Sequence, residues 1–451
     1  MIKTLVIIML LLTALVVQSV STNYSQVFIE NNIEKQCRVF YFINAILIER
    51  SKINTTLALE TPGNITFYDI NQTSKPLIYR NVFFNHTTNL FEFNVTINSS
   101  FYGYHVLEIK VCYPNIEAMY SIVADALVSP KTGSTSGDIP EEIKNEYLKE
   151  PYRRVVEIVG SNYTDWFMRT YKYNVTEASK LGIAVTAAYF VYGVFFEYDA
   201  SGLPRTMDQV INERKGDCDD LSRILVELLN YYEIPATIAY GYVYLPLSDF
   251  ENYSITIRNF TYIFRYNGPH AFTLAYIPGY GWISLDLLAG SLLTYDFVFE
   301  GFSSVTYVNE TIVREVEELH AKIHGLQFMA LLSEGFFKTI FDPANLTSSI
   351  EAYINRTLIA LTGSTNATNN TSTEIISETS SSETSTETTV TPIESTSNEY
   401  LNQTHPRSIT NVLQLFPLAI LSAVLIIAIV TVLLILSITK EKPSTSIQSS
   451  F

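Results

Sequence analysis

Cysteine, tryptophan and positive charge are all scarce in this chain. Three cysteines and two tryptophans serve 451 residues, and 29 lysines and arginines stand against 45 aspartates and glutamates. The net charge of −16, with no basic cluster to offset it, removes nucleic acid from the expected partners. Three cysteines allow one disulfide at most and leave one thiol over. No internal repeat is present, which excludes a repeat array.

What is present begins at the ends. Lys3 is followed by an unbroken apolar run over 5–12, then by small and polar residues at Ser19, Ser21 and Thr22. That pattern predicts a cleaved secretory signal over 1–22, because the run is too short for a bilayer core of about 30 Å. Residues 415–438 contain no charge and are rich in Ile, Leu, Val and Ala. At a rise of about 1.5 Å per residue they are long enough to span, so a single transmembrane helix is expected over 413–439. Lys440 and Lys442 follow it and place the tail, 440–451, on the cytoplasmic side. Every Asn-X-Ser/Thr sequon lies before that span, Asn54, Asn64, Asn85, Asn94, Asn162, Asn174 and Asn309 being the glycosylation candidates. A single-pass cell-membrane protein with its N-terminal region outside is the expectation.

Between the ends, three regions differ in pattern. Phe91, Phe93, Val95 and Ile97 alternate with Glu92, Asn94 and Thr96, and Leu107, Ile109 and Val111 alternate with Glu108 and Lys110. Period two with turn-forming breaks predicts an all-β, sandwich-like domain over 23–126. Cys37 and Cys112 flank it and are the expected disulfide. A Ser/Gly/Thr/Pro linker over 127–140 leads to a second domain over 141–361. There helices are expected over 141–159, 176–197, 218–232, 315–332 and 348–361, with strands over 236–245, 271–277 and 282–287. Helices followed by sheet make this domain α+β. Residues 362–412 are nearly all Ser, Thr, Glu and Asn and read as a stalk with nothing to bury.

The residues that point to chemistry start at Arg214-Lys215-Gly216-Asp217-Cys218-Asp219-Asp220. Gly216 permits a tight turn, Asp217 can cap a helix, and Cys218 then lies in its first turn. Unpaired N–H groups there favour a thiolate, so a lowered thiol pKa is expected. His270 begins a strand that turns at Pro278-Gly279-Tyr280-Gly281 and returns as Trp282-Ile283-Ser284-Leu285-Asp286. If Tyr276 pairs with Trp282, Asp286 falls opposite Phe272 and within diagonal reach of His270. Nucleophile, base and orienting acid are then Cys218, His270 and Asp286.

This pattern resembles the transglutaminase-like superfamily. The resemblance spans about 189–288. It is carried by Tyr198 and Gly202, Gly216-Asp217-Cys218, Ile234-Pro235-Ala236, Gly241-Tyr242, His270-Ala271-Phe272, Gly281-Trp282 and Asp286. It implies a papain-like fold, with the cysteine helix packed on an antiparallel sheet, and the same three catalytic residues. Phe272 stands where the family usually has Trp, and Leu287-Leu288 replaces its usual Pro. The family includes both hydrolysis and amine transfer. The expectation is a cysteine peptidase or amidase acting on protein or peptide substrates at the cell surface, without cofactor or metal. A cross-linking transamidase and a catalytically inactive surface scaffold are the alternatives. Asp219 and Asp220 are expected to be exposed acids of a first helical turn. His320 and His324, four apart on the expected helix 315–332, lack the Glu of a zinc-protease motif, and a solvated helical face is expected for them.

Overall fold

A computed structural model of the chain describes residues 35–114, 116–132, 137–200, 204–246, 253–286, 296–304, 306–308 and 310–362. The expected signal, transmembrane span and tail, the stalk after Thr362, and the sequon at Asn309 lie outside the described residues. No described helix is long and apolar enough to cross a membrane.

The N-terminal region is all β: β1 (Lys35–Ser51), β2 (Thr55–Leu59), β3 (Ile65–Phe67), β4 (Ile70–Arg80), β5 (Phe83–Asn85), β6 (Leu90–Val95) and β7 (Phe101–Pro114). Helices α1 (Ile116–Val128), α2 (Glu141–Tyr147), α3 (Ser161–Tyr171) and α4 (Lys180–Phe190) follow. Next come β8 (Glu197–Tyr198), α5 (Met207–Glu213), β9 (Lys215–Gly216) and α6 (Cys218–Tyr231). The strands β10 (Ala236–Tyr244), β11 (Tyr253–Ile257), β12 (Phe260–Arg265), β13 (Asn267–Ile277), β14 (Gly281–Leu285) and β15 (Phe297–Ser303) come after that helix. The chain continues through α7 (Glu310–Lys322), β16 (Ile323–Ser333), α8 (Glu334–Ile340) and α9 (Leu346–Thr362).

One sheet joins the two ends of this order. Its seven strands run β11-β12-β16-β1-β7-β4-β3. β1 is antiparallel to both β7 and β16, with Ala45 opposite Tyr104 on one side and Phe328 on the other. Cys37 lies opposite Cys112 across β1 and β7, and the two form the expected disulfide. Tyr41, Ile43 and Ala45 face a core that includes Phe337, Ile350, Ile354 and Leu358 from the region of α8 and α9. Phe40 and Phe42 turn the other way, their rings 5.3 and 4.9 Å from those of Tyr244 and Tyr242 on β10. A strand buried on both faces is apolar on both faces, which is why β1 reads Phe-Tyr-Phe-Ile rather than as an alternation.

The expected self-contained sandwich over 23–126 is therefore corrected. Residues 35–114 are all β, but 116–126 belong to α1, the longest strand uses β16 as a neighbour, and the described residues form one compact unit. Nor does 127–140 separate two bodies. Ala126 at its edge is buried in the core of the α-rich region, and the Pro130 carbonyl accepts the Ser179 N–H at 2.9 Å. The expected helix over 315–332 is half right. It ends at Lys322, and Ile323–Ser333 is β16 instead, because β1 and β12 pair with it on both sides. Pairing with segments distant in sequence overrides the helix preference of Leu, Met and Ala.

The second sheet, of order β14-β13-β10-β15, carries the candidate residues. Against it lies α6, in which Cys218 through Asn230 are all buried. Leu221, Ile224, Leu225, Leu228 and Leu229 join Ala271, Ala275 and Ile238 of the sheet and Leu181, Ala184 and Ala188 of α4 in one core. A helix enclosed by sheet and helix has no solvated stripe, so its polar residues need internal partners.

Candidate active site

The first turn of α6 is closed at both hydrogen-bonding ends. Asp217 Oδ1 accepts the Asp220 backbone N–H at 3.4 Å, and Asp220 Oδ2 accepts the Asp217 N–H at 3.4 Å. This reciprocal cap satisfies donors that the helix start leaves orphaned. Gly216 precedes it because a Cβ there would lie 2.9 Å from the Asp220 Cβ and 3.0 Å from Leu221 Cδ2. Ser222, one turn on, donates to the Cys218 carbonyl at 2.6 Å and shares a 3.0 Å bond with the Tyr192 hydroxyl. Thr273 on β13 donates to the Ser222 carbonyl at 3.3 Å. These contacts dock the cysteine turn on β13.

The register of the hairpin is the one expected. Tyr276 pairs with Trp282 and Thr273 with Leu285, so Asp286 follows opposite Phe272. His270 Nε2 and Asp286 Oδ2 are 2.8 Å apart, with both side chains 1% exposed. Phe272 has its ring stacked beside His270 and set edge-on to Phe297. On the neighbouring strand, Gly241 lies opposite His270. On β13, one residue past His270, the Ala271 backbone N–H donates to the Cys218 sulfur. The structure thus places all three sequence-predicted residues around the start of β13, and all three are buried.

The electrostatics correct one expectation. Burial pushes the Cys218 thiol well above its ordinary value, and the Asp217, Asp286 and Asp220 carboxylates add to the rise. The Ala271 backbone bond pulls the other way. The helix-start field that favours a thiolate is outweighed by desolvation and by the acids around the thiol.

Those acids are a second correction. Asp219 and Asp220 are 3% and 1% exposed rather than solvated. Arg223 pairs with Asp219 and, at 3.3 Å, with Asp220. Arg205 meets Asp220 at 3.1 Å and Asp199 at 3.0 Å. Asp217, Asp219 and Asp220 are close enough together to share a cation, but two guanidiniums already supply positive charge there. Arg205 and Arg223 were not singled out by sequence pattern. The i, i+4 spacing of Asp219 and Arg223 is a signal that could have found that pair.

The two histidines near residue 320 do not share a site. His320 is buried with Nε2 2.7 Å from the Tyr262 hydroxyl, whereas His324 is on β16 beside Glu49 at 2.9 Å. The solvated face expected for both holds only for His324, because the helix stops between them. Among the glycosylation candidates, Asn54, Asn64, Asn94, Asn162 and Asn174 are exposed, while Asn85 is half-buried and its amide donates to Glu92 at 2.9 Å.

Comparison with known proteins adds the following. Residues 165–287 match the transglutaminase-like superfamily. No curated protein matches the chain significantly. Among solved structures, a candidate cysteine protease from Cytophaga hutchinsonii is similar over 67% of this chain and 92% of its own, at 14% identity and a TM-score of 0.38.

Proposed function

We propose, from the premise that residues 165–287 are a transglutaminase-like domain, that the protein is a membrane-anchored extracellular cysteine enzyme that hydrolyses peptide or amide bonds. The observation that carries this reading is the buried His270–Asp286 pair at 2.8 Å, on the strand whose next residue holds the Cys218 thiol. Asp286 engages Nε2, which leaves Nδ1 as the nitrogen that exchanges a proton with the thiol.

In this reading, His270 takes the Cys218 proton as the sulfur attacks the substrate carbonyl. The Cys218 backbone N–H, at the helix start, is one donor to the oxyanion. The imidazolium then protonates the leaving amine, and a thioester remains. Water, deprotonated by His270, attacks the thioester, and the thiol and a carboxylic acid are released. Transfer to an amine instead of water needs a channel that excludes water. The secretory signal, the stalk and the span expected over 413–439 support a site outside the cell, close to the membrane, with surface proteins and peptides as its substrates.

The test uses the full chain in detergent, incubated with a surface-protein extract and a labelled primary amine. New N-termini that are absent with Cys218→Ala are expected. Stable incorporation of the amine without cleavage would establish the cross-linking alternative. Neither product, from protein with a reactive Cys218, would leave a binding scaffold. Topology is checked separately: protease added to intact cells should remove the region before the stalk, and full protection would refute an external location.

A further inference from the structure

We propose that Arg205 is a positioning residue for Cys218: its guanidinium ties the segment after β8 to the first turn of α6 and offsets the carboxylates that surround the thiol. The inference rests on the reading of Cys218 as nucleophile.

The geometry is a clamp with two sides. On one side, β8 runs parallel to β9 with Tyr198 opposite Gly216, and the Asp199 N–H donates to the Gly216 carbonyl at 2.9 Å. On the other side, Arg205 Nη1 donates to the Asp199 carbonyl at 2.8 Å and to Asp220 Oδ2 at 3.1 Å, and Nη2 donates to Asp199 Oδ2 at 3.0 Å. Asp217 and Cys218 lie between these ties. The same Asp220 oxygen that receives Arg205 also closes the helix cap on the Asp217 N–H. The Arg205 side chain is 12% exposed and that of Asp220 is fully buried.

Arg223 is the natural rival for this role. Its contacts with Asp219 and Asp220 lie within α6, where helix formation already sets the spacing. It also donates to the Arg205 carbonyl at 3.4 Å, so it supports the clamp from beneath. Arg205 is the one of the two whose ion pairs join separate segments, Asp199 after β8 and Asp220 on α6.

A buried ion network is a poor way to stabilise a helix start, since apolar groups of the same volume do as well or better. Its position beside a reactive thiol supplies a different reason. The charged and titratable groups at this helix start are Asp217 before α6, Asp219, Asp220 and Arg223 on it, Tyr198 of β8 with Asp199 after it, and Tyr192 after α4. His270 on β13, Asp286 after β14 and Tyr253 of β11, which acts on Tyr198, complete the set. Burial raises the Asp217 and Asp220 carboxyls and the Arg205 charge opposes that rise, so loss of Arg205 leaves whichever of them stays ionised uncompensated beside the thiolate.

The test is the pH dependence of Cys218 alkylation by iodoacetamide in the full chain in detergent, mapped by mass spectrometry. Removing the cation paired with Asp220 should raise the midpoint of Arg205→Gln by up to about one pH unit. That is up to roughly tenfold slower labelling at a pH below both midpoints. Arg205→Lys should fall between, because a single ammonium cannot hold the fork to Asp199 and Asp220 together. If the glutamine variant does not fold, the lysine variant carries the test. Adding Asp220→Asn to Arg205→Gln should bring the midpoint back toward wild type, which a merely structural tie would not do. Superimposable profiles for the wild type and the foldable Arg205 variants, whatever happens to their melting temperatures, would overturn the proposal. A Cys218→Ala chain that cleaves the surface-protein extract as well as the wild type would overturn the nucleophile reading itself, and this inference with it.

Discussion

Trp282 stands opposite Tyr276 across the turn that joins β13 to β14, and this pairing brings Asp286 within 2.8 Å of His270. The carboxylate accepts from Nε2, so the neutral ring that suits catalysis carries its proton there and keeps Nδ1 unprotonated. Asp286→Asn preserves the shape but replaces an acceptor by a group that also donates. The amide can then hold the ring in the wrong tautomer. A fall in kcat of about 10³ to 10⁴ is expected, with little change in KM. Steady-state kinetics on the substrate found in the cleavage assay check this; a loss of only a few-fold would remove Asp286 from the orienting role.

That register was legible because Pro278-Gly279-Tyr280-Gly281 fixes the hairpin turn, with positive φ at Gly279 and Gly281, and counting outward from it does the rest. The helix start at Cys218 was legible for a similar reason, since its cap is built from neighbours in sequence. What was hidden depended on partners far along the chain. β16 is a strand because β1, some 280 residues earlier, lies beside it; periodicity over 315–332 carries no trace of that. Asp219 and Asp220 have the ordinary signature of exposed first-turn acids, and their burial is tenable because Arg223 pairs with both and Arg205, from another segment, with Asp220. The thiol pKa followed the same course. The helix field is local and readable, whereas desolvation is a property of the assembled core.

Gly241 faces His270 across β10 and β13, and β15 presses on it from the other side. A Cβ at this position would lie 2.0 Å from the Val298 carbonyl oxygen and 2.7 Å from Phe297 Cε1. The carbonyl belongs to a paired strand and cannot move aside as a side-chain tip can. Gly241→Ala should therefore destabilise by about 3 kcal/mol, the upper part of the usual range for overpacking. Any folded fraction should also lose activity through displacement of His270. Denaturant unfolding measures the first effect and kcat per folded molecule the second. A variant within about 0.5 kcal/mol of wild type would show that β15 yields more easily than its pairing indicates.

Glu300 is the unmatched residue of a bulge between β10 and β15, and its Oε1 is buried with no hydrogen-bond partner among the described residues. Burial, and then the nearby Glu60 carboxylate, push Glu300 up to about 8 from an ordinary 4.5, while a hydrogen bond with Tyr242 opposes the rise. The folded protein holds this proton more tightly than the unfolded chain does. The resulting stability is fully present below about pH 4.5 and is lost as pH rises through about 8. It amounts to a few kcal/mol, since each tenfold gain in proton affinity on folding is worth roughly 1.4 kcal/mol. Melting curves between pH 4 and pH 9 should show Glu300→Gln gaining on the wild type as pH rises. A constant difference across that range would mean that Glu300 ionises in the folded state much as it does in water.

The shared sheet makes a stronger demand on the N-terminal region than a detachable sandwich would. β16 has β1 on one side and only the shorter β12 on the other, so removing residues 23–126 bares most of one long edge. Other contacts go with it. Gln72 clamps the backbone of Phe299, donating to its carbonyl at 2.6 Å and accepting its N–H at 2.8 Å. Phe67 stacks on Phe302 at 4.0 Å, and Phe42 covers Tyr242. A chain that begins at residue 127 should expose this apolar surface and fail to give a cooperative thermal transition. Breaking the Cys37–Cys112 bond is a milder change. It closes a loop with a sequence separation of 75, so Cys37→Ser with Cys112→Ser should lose about 4 kcal/mol yet keep one transition for the whole described unit. Calorimetry of the three proteins separates the cases. A truncated chain that melts cooperatively and still alkylates at Cys218 would show that the catalytic region folds without β1. A disulfide variant with two separate transitions would show that the seven-stranded sheet is not one cooperative unit.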